Sequence, residues 1–128
     1  MSGDQRNGTR AAGIWTHPFT AERFEAAHAG TLPGLLGIRL VEIGPDFVRA
    51  EMPVDERHAQ PYGILHGGGS VVLAETVGSF SGAMAAPPGW RVVGVEVNAN
   101  HLAPAFKGDT VTALCRPLRI GRRRAVGA

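Results

Sequence analysis

LHGGGSVVLAETVGSFSGAMAA, residues 65–86, places Leu73, Val77, Phe80 and Met84 at helical spacing, with Gly, Ala and Ser at most positions between them. That period predicts a helix. Pro87-Pro88-Gly89 ends it, because proline has no N–H to give and clashes with the preceding turn. So many small residues let neighbouring backbones approach closely. With almost no polar face, the helix is expected to be buried nearly all round.

Working outward, TAERFEAAHAG (20–30) predicts a short helix with Thr20 as its N-cap, Glu22 in the first turn and Gly30 as its stop. TLPG (31–34) reads as a break. GIRLVEI (37–43) and FVRAEMPV (47–54) then alternate about the Gly44-Pro45-Asp46 turn, as an antiparallel hairpin does. Residues 55–63 read as a polar loop leading into the helix, and RVVGVEVNANH (91–101) and DTVTALCRPL (109–118) are two further strand candidates. Two strands, a buried helix and two more strands indicate an antiparallel α+β domain, since parallel units alternate strictly. One domain over residues 14–128 is expected, after a flexible polar leader, residues 1–13.

The 128 residues are 44% hydrophobic, enough to bury one core and to exclude wholesale disorder. Cys115 is the single cysteine, so neither an intrachain disulfide nor a multi-cysteine metal site can form. Its strand-like setting suits core packing better than nucleophilic chemistry. The uncharged runs are broken by Pro, Gly and Glu75, and the first residues lack the apolar core of a secretion signal. A cytoplasmic protein without a membrane partner is expected.

The formal net charge of +2 is unevenly spread. Arg116, Arg119, Arg122, Arg123 and Arg124 lie in the last thirteen residues; the thirteen Lys and Arg less these five leave eight against eleven acids, a body of charge −3. The basic end is either a solvated tail or an anion site for phosphate groups. Base stacking would need interleaved aromatic residues, and none follows Phe106, which argues against nucleic acid.

Glu75 is the lone charged residue between His58 and Arg91 if histidine is counted neutral, and it sits in the apolar helix. Burial would demand partners or a raised pKa, and so a general base or nucleophile; otherwise Glu75 lies on an exposed stripe or pairs with an arginine. Ser79, four residues on, shares its face. His66-Gly67-Gly68-Gly69 opens the helix, where first-turn amides lack internal partners and carry the positive end of the dipole. Glycine there lets a ligand oxygen approach, as an oxyanion site requires, although such a string also serves tight turns. An esterase reading of HGGG fails because G-x-S-x-G is absent: Gly78-Ser79-Phe80-Ser81-Gly82 has the wrong register. His58, His66 and His101 show no metal-ligand spacing. Gln60 is a neutral donor and acceptor just before the helix.

Gln60-Pro61-Tyr62-Gly63-Ile64-Leu65-His66-Gly67-Gly68, followed by Ala74-Glu75-Thr76 and Ser79, resembles the signature of hot-dog-fold acyl-CoA thioesterases of the PaaI-like group. It is similar to the branch that holds hydroxybenzoyl-CoA thioesterase of the Arthrobacter type, dihydroxynaphthoyl-CoA hydrolase and the enterobactin proofreading thioesterase. VVGVEVNANHLAPA (92–105), Gly108 and PLRIGR (117–122) extend the likeness, in order, over residues 36–122.

The resemblance implies a sheet wrapped round the long helix, and dimers or tetramers with active sites between subunits. It further implies hydrolysis of an acyl-CoA, with an aromatic acyl group, and no cofactor. Glu75 would be the nucleophile or the base for water, and the Gly67 amide would polarise the thioester carbonyl. Gln60 and His66 would position substrate and water, and Ser79 and His101 would line the acyl or water side. Val93, Gly94, Arg119, Gly121, Arg122 and Arg123 would contact CoA. Further strands are implied after Gly121-Arg122, so an open sheet edge, an uncovered part of the helix and low stability are expected here. A non-catalytic acyl-CoA-binding module, or an inactive short form, is the alternative.

Overall fold

Thr20 accepts a hydrogen bond from the Arg23 amide (3.2 Å) and so starts helix α1, Ala21–His28, in the computed structural model, which describes residues 13–128. Apart from Gly13, the expected leader lies outside the described residues. Gly30, at φ +73°, takes a left-handed conformation open to glycine and turns the chain after α1. The TLPG stretch is not a break but a one-turn helix α2, Leu32–Leu35. Pro33 sits in its first turn, where a missing N–H costs nothing.

β1 (Arg39–Ile43) and β2 (Val48–Pro53) form the expected antiparallel hairpin, from Arg39↔Glu51 to Ile43↔Val48, with one extra β1 residue between Leu40 and Glu42. Alternation along β2 buries Val48, Ala50 and Met52. The loop after it is less polar than its composition predicts. It contains a 3-10 turn, Glu56–His58, capped by Asp55, and His58 is buried with Nε2–H donating to the Leu36 carbonyl (2.7 Å).

Helix α3, Gly67–Ala85, lays Leu73, Val77, Phe80 and Met84 into the core, the four residues its period selects. Phe80 meets Phe24 of α1 edge to face at 4.8 Å, a favoured aromatic geometry. The helix is not buried all round, however: Ala74, Glu75 and Gly78 on its outer face are exposed.

β3 (Thr110–Cys115) pairs antiparallel with β2 from Val48↔Cys115 to Pro53↔Thr110, completing a sheet of order β1–β2–β3. Cys115 packs against the core, as expected of its position. The single strand predicted over 109–118 is interrupted at Arg116. Pro117 offers no N–H, and Arg116 exchanges backbone hydrogen bonds with Ala128 (2.7 and 2.8 Å). β4 (Pro117–Ile120) and β5 (Ala125–Gly127) follow as a hairpin closed by Gly121 N–H to Arg124 C=O (2.8 Å). The basic end is therefore a paired ribbon whose arginines are exposed to solvent.

Residues 91–101 depart most from expectation. They form no ladder among the described residues. The segment runs along the outer face of α3, with Val92 against Gly82, Gly94 against Glu75 and His101 against Gly67. Its alternating pattern suits a strand, but a strand exists only where another supplies hydrogen bonds. Likewise β3 is paired along one edge alone among the described residues. No described helix is long and apolar enough to cross a membrane. The arrangement is the α+β one expected, an antiparallel sheet packed on one long helix.

Candidate active site

The start of α3 is built from its own glycines. His66 is the N-cap, and its Nδ1 accepts the Gly68 N–H (2.7 Å), while the Gly69 N–H bonds the His66 carbonyl (2.8 Å). Two of the first-turn donors are thereby satisfied. The Gly67 N–H keeps no partner among the described residues, and it points from the positive end of a nineteen-residue helix. Such a donor suits an oxygen that gains negative charge.

His101 closes over this turn. Its Nε2 lies 2.9 Å from Ser70 Oγ and 3.2 Å from the Gly67 carbonyl, and a methyl group added at Gly67 would stand 3.1 Å from the ring. Ser70 was not legible as a site residue; the hint was its place three residues after Gly67, from which its hydroxyl bonds back to the Gly67 carbonyl (2.8 Å). Gln60 sits in the preceding loop. Its backbone bonds Ile64 and Gly63 (both 2.8 Å), and its side-chain oxygen accepts from the Tyr62 amide.

Farther along α3, Glu75, Thr76 and Ser79 border an open concavity of about 390 Å³, walled by Phe19, His28 and Phe80. Glu75 is exposed, with no ion-pair partner among the described residues, so the stripe reading and not burial describes it. Its carboxylate rests against the backbone of Gly94: a methyl group there would lie 2.5 Å from Glu75 Oε1. Phe19 and His28 could not be picked out beforehand, because they reach the concavity from elements some fifty residues earlier in the chain.

The structure thus brings Glu75, Ser79 and Gly94 together, and His66, Gly67 and His101 together at the other end of the same face. Val93 is exposed beside Gly94. Arg119, Gly121, Arg122 and Arg123 lie apart, on the β4–β5 hairpin, exposed and without a carboxylate partner among the described residues. Phosphate oxygens would be suitable ligands for such guanidinium groups. Arg57, by contrast, bonds the Asp55 carboxylate (2.7 Å) and holds it well below the usual carboxylate range.

Residues 62–127 match the sequence pattern of the Thioesterase superfamily. The chain is 46% identical over 113 residues to 1,4-dihydroxy-2-naphthoyl-CoA hydrolase of Escherichia coli K12, covering 88% of this chain and 82% of that protein. It is 44% identical to a proofreading thioesterase of Cronobacter turicensis, over 86% of this chain and 80% of that one. A thioesterase structure from Haemophilus influenzae superposes with a TM-score of 0.81 at 43% identity, over 85% of this chain and 76% of the other. The PaaI protein of Escherichia coli, at 19% identity, shares the fold with a TM-score of 0.65 over 84% of this chain and 90% of its own. On these likenesses and on its architecture, the chain belongs to the thioesterase superfamily and is a thioester hydrolase of the hot-dog fold.

Proposed function

We propose that the protein hydrolyses an acyl-CoA thioester with an aromatic acyl group, using Glu75 and the Gly67 N–H. The observation that carries this reading is a carboxylate beside an apolar-walled concavity on the same helix whose first amide is an unpartnered donor. The acyl group would enter the concavity along Phe19 and Phe80, with Ser79 at its edge, and Glu75 would attack the carbonyl carbon or deprotonate water. The Gly67 N–H would take the developing oxyanion. Gln60, His66 and His101 would orient substrate and water. The aromatic preference is supported by the naphthoyl-CoA relative and by the aromatic walls.

Geometry adds a condition. Eight residues separate Gly67 from Glu75, about 12 Å along the helix axis. An attacking atom must come within about 3.5 Å of the carbon whose oxygen the amide holds. One chain cannot do both. Glu75 of one subunit would therefore work with the Gly67 N–H of a second, so the competent form is at least a homodimer. The exposed valines of residues 92–97 are apolar surface available to such an interface. CoA would lie along Val93 and Gly94 and reach the hairpin, where Arg119, Arg122 and Arg123, turned by Gly121, would meet its phosphates. None of these residues calls for a cofactor.

Thiol release from benzoyl-CoA and from aliphatic acyl-CoAs tests the proposal. Glu75→Ala is expected to lower turnover by about 10² to 10⁴-fold. Turnover near the wild-type rate in that variant would reject the assignment. Acyl-CoA that stabilises the wild type without any turnover would favour a binding module instead.

A further inference from the structure

We infer that Ser70 is a positioning residue that holds His101 and His66 in the same neutral tautomer, with the proton on Nε2, through the single peptide group between Gly67 and Gly68. The inference rests on the proposed use of this helix start, and it follows from counting donors and acceptors. The Gly67 carbonyl can only accept. Besides the helical N–H of Val71 it has two polar side-chain neighbours, Ser70 Oγ at 2.8 Å and His101 Nε2 at 3.2 Å, and neither can receive a hydrogen from it. The one Ser70 hydroxyl proton is then committed to that carbonyl. The 2.9 Å contact between Ser70 Oγ and His101 Nε2 must accordingly be donated by the ring, whose one Nε2–H leans on the carbonyl only at the longer 3.2 Å. His101 therefore carries its proton on Nε2, and its Nδ1 is a bare acceptor.

The other side of the same peptide group sets the second ring. The Gly68 N–H donates to His66 Nδ1 at 2.7 Å, so His66 holds its proton on Nε2 and presents that nitrogen as a donor. A carbonyl that accepts two hydrogen bonds makes its own N–H a better donor, so each ring reinforces the other. The result is one acceptor, His101 Nδ1, and one donor, His66 Nε2–H, on the two rings that contact the Gly67–Gly68 peptide group. In the proposed reaction the first can accept a hydrogen from water, and the second can donate one to a substrate oxygen or to the departing sulfur. Ser70 touches neither.

Imidazole nitrogen-15 NMR of the protein, at a pH where both rings are neutral, reads the tautomers directly. The wild type is expected to show Nε2–H for both histidines. Ser70→Ala is expected to leave His101 a mixture of tautomers and to lower kcat about three- to tenfold with KM unchanged, the loss of one hydrogen bond. Ser70→Thr keeps the hydroxyl and should restore both readings. An Nδ1–H tautomer for His101 in the wild type, or an unaltered Nε2–H signature in Ser70→Ala, would overturn the inference. The wild-type spectrum decides even if the alanine variant folds poorly. It is also independent of turnover, so a failure of the Glu75 assignment would show separately.

Discussion

Gly94 shows how a single missing side chain can shape this site. Its backbone lies so close to Glu75 that a β-carbon would stand 2.5 Å from the carboxylate oxygen. Glu75 is exposed, so its side chain can swing aside at little cost to folding. Gly94→Ala is therefore expected to change stability by no more than about 0.5 kcal/mol. Turnover should fall roughly tenfold or more if Glu75 acts as proposed, because the displaced carboxylate would lose its alignment. Thermal unfolding and steady-state kinetics measured together check this; unchanged turnover would show that the carboxylate does not act from where it rests. In the sequence Gly94 stood out only through family resemblance, since nothing local distinguishes it from any glycine in a strand-like run. Glu75 and Gly67 were legible directly, as a lone charge in an apolar helix and as a glycine at a helix start.

At the scale of elements, α3 divides into two unlike faces. Leu73, Val77, Phe80 and Met84 fill the space between the sheet and α1, and Met84 also takes a backbone contact from Phe19 through its sulfur (3.4 Å). Met84→Ala is expected to cost about 2–5 kcal/mol, through lost burial and the cavity left behind. Chemical denaturation of the two proteins would measure it, and a cost below 1 kcal/mol would mean that the surroundings collapse into the space. The inner face could be read from spacing alone, because period and apolarity coincide there. The outer face could not. Small residues say that something may come near, not what does, and here it is residues 91–101, extended and unpaired. The same limit hid the β4–β5 hairpin. Arginines in a row signal solvent, while the pairing that orders them depends on the Gly121 turn and on Ala128 meeting Arg116.

For the whole molecule, the decisive length is the 12 Å or so between Gly67 and Glu75. If each site takes one group from each subunit, two inactive variants should rescue each other. Gly67→Pro removes the amide donor at the first helical position, where proline is well accepted, and the His66 backbone (φ −65°, ψ 134°) already suits a following proline. Its ring must ease past His101, 3.1 Å from the β-carbon position. Gly67→Pro and Glu75→Ala are each expected to be inactive alone. Mixed after co-expression, they should regain turnover, because one site of each heterodimer then holds both intact groups. Failure to regain it in verified heterodimers would mean that one chain supplies both.

The sequence by itself determined the α+β class, the hairpin of β1 and β2, the inner face of α3 and the place where that helix begins. Each of these depends on local periods, caps and turn residues that act within a few positions of one another. Only the tertiary structure decided that Ser70 and His101 meet over Gly67, that Gly94 abuts Glu75, and that residues 91–101 lie extended without a ladder. Those contacts join segments far apart in the chain. Side-chain pattern records which face of an element is apolar but not which distant backbone will come to rest against it.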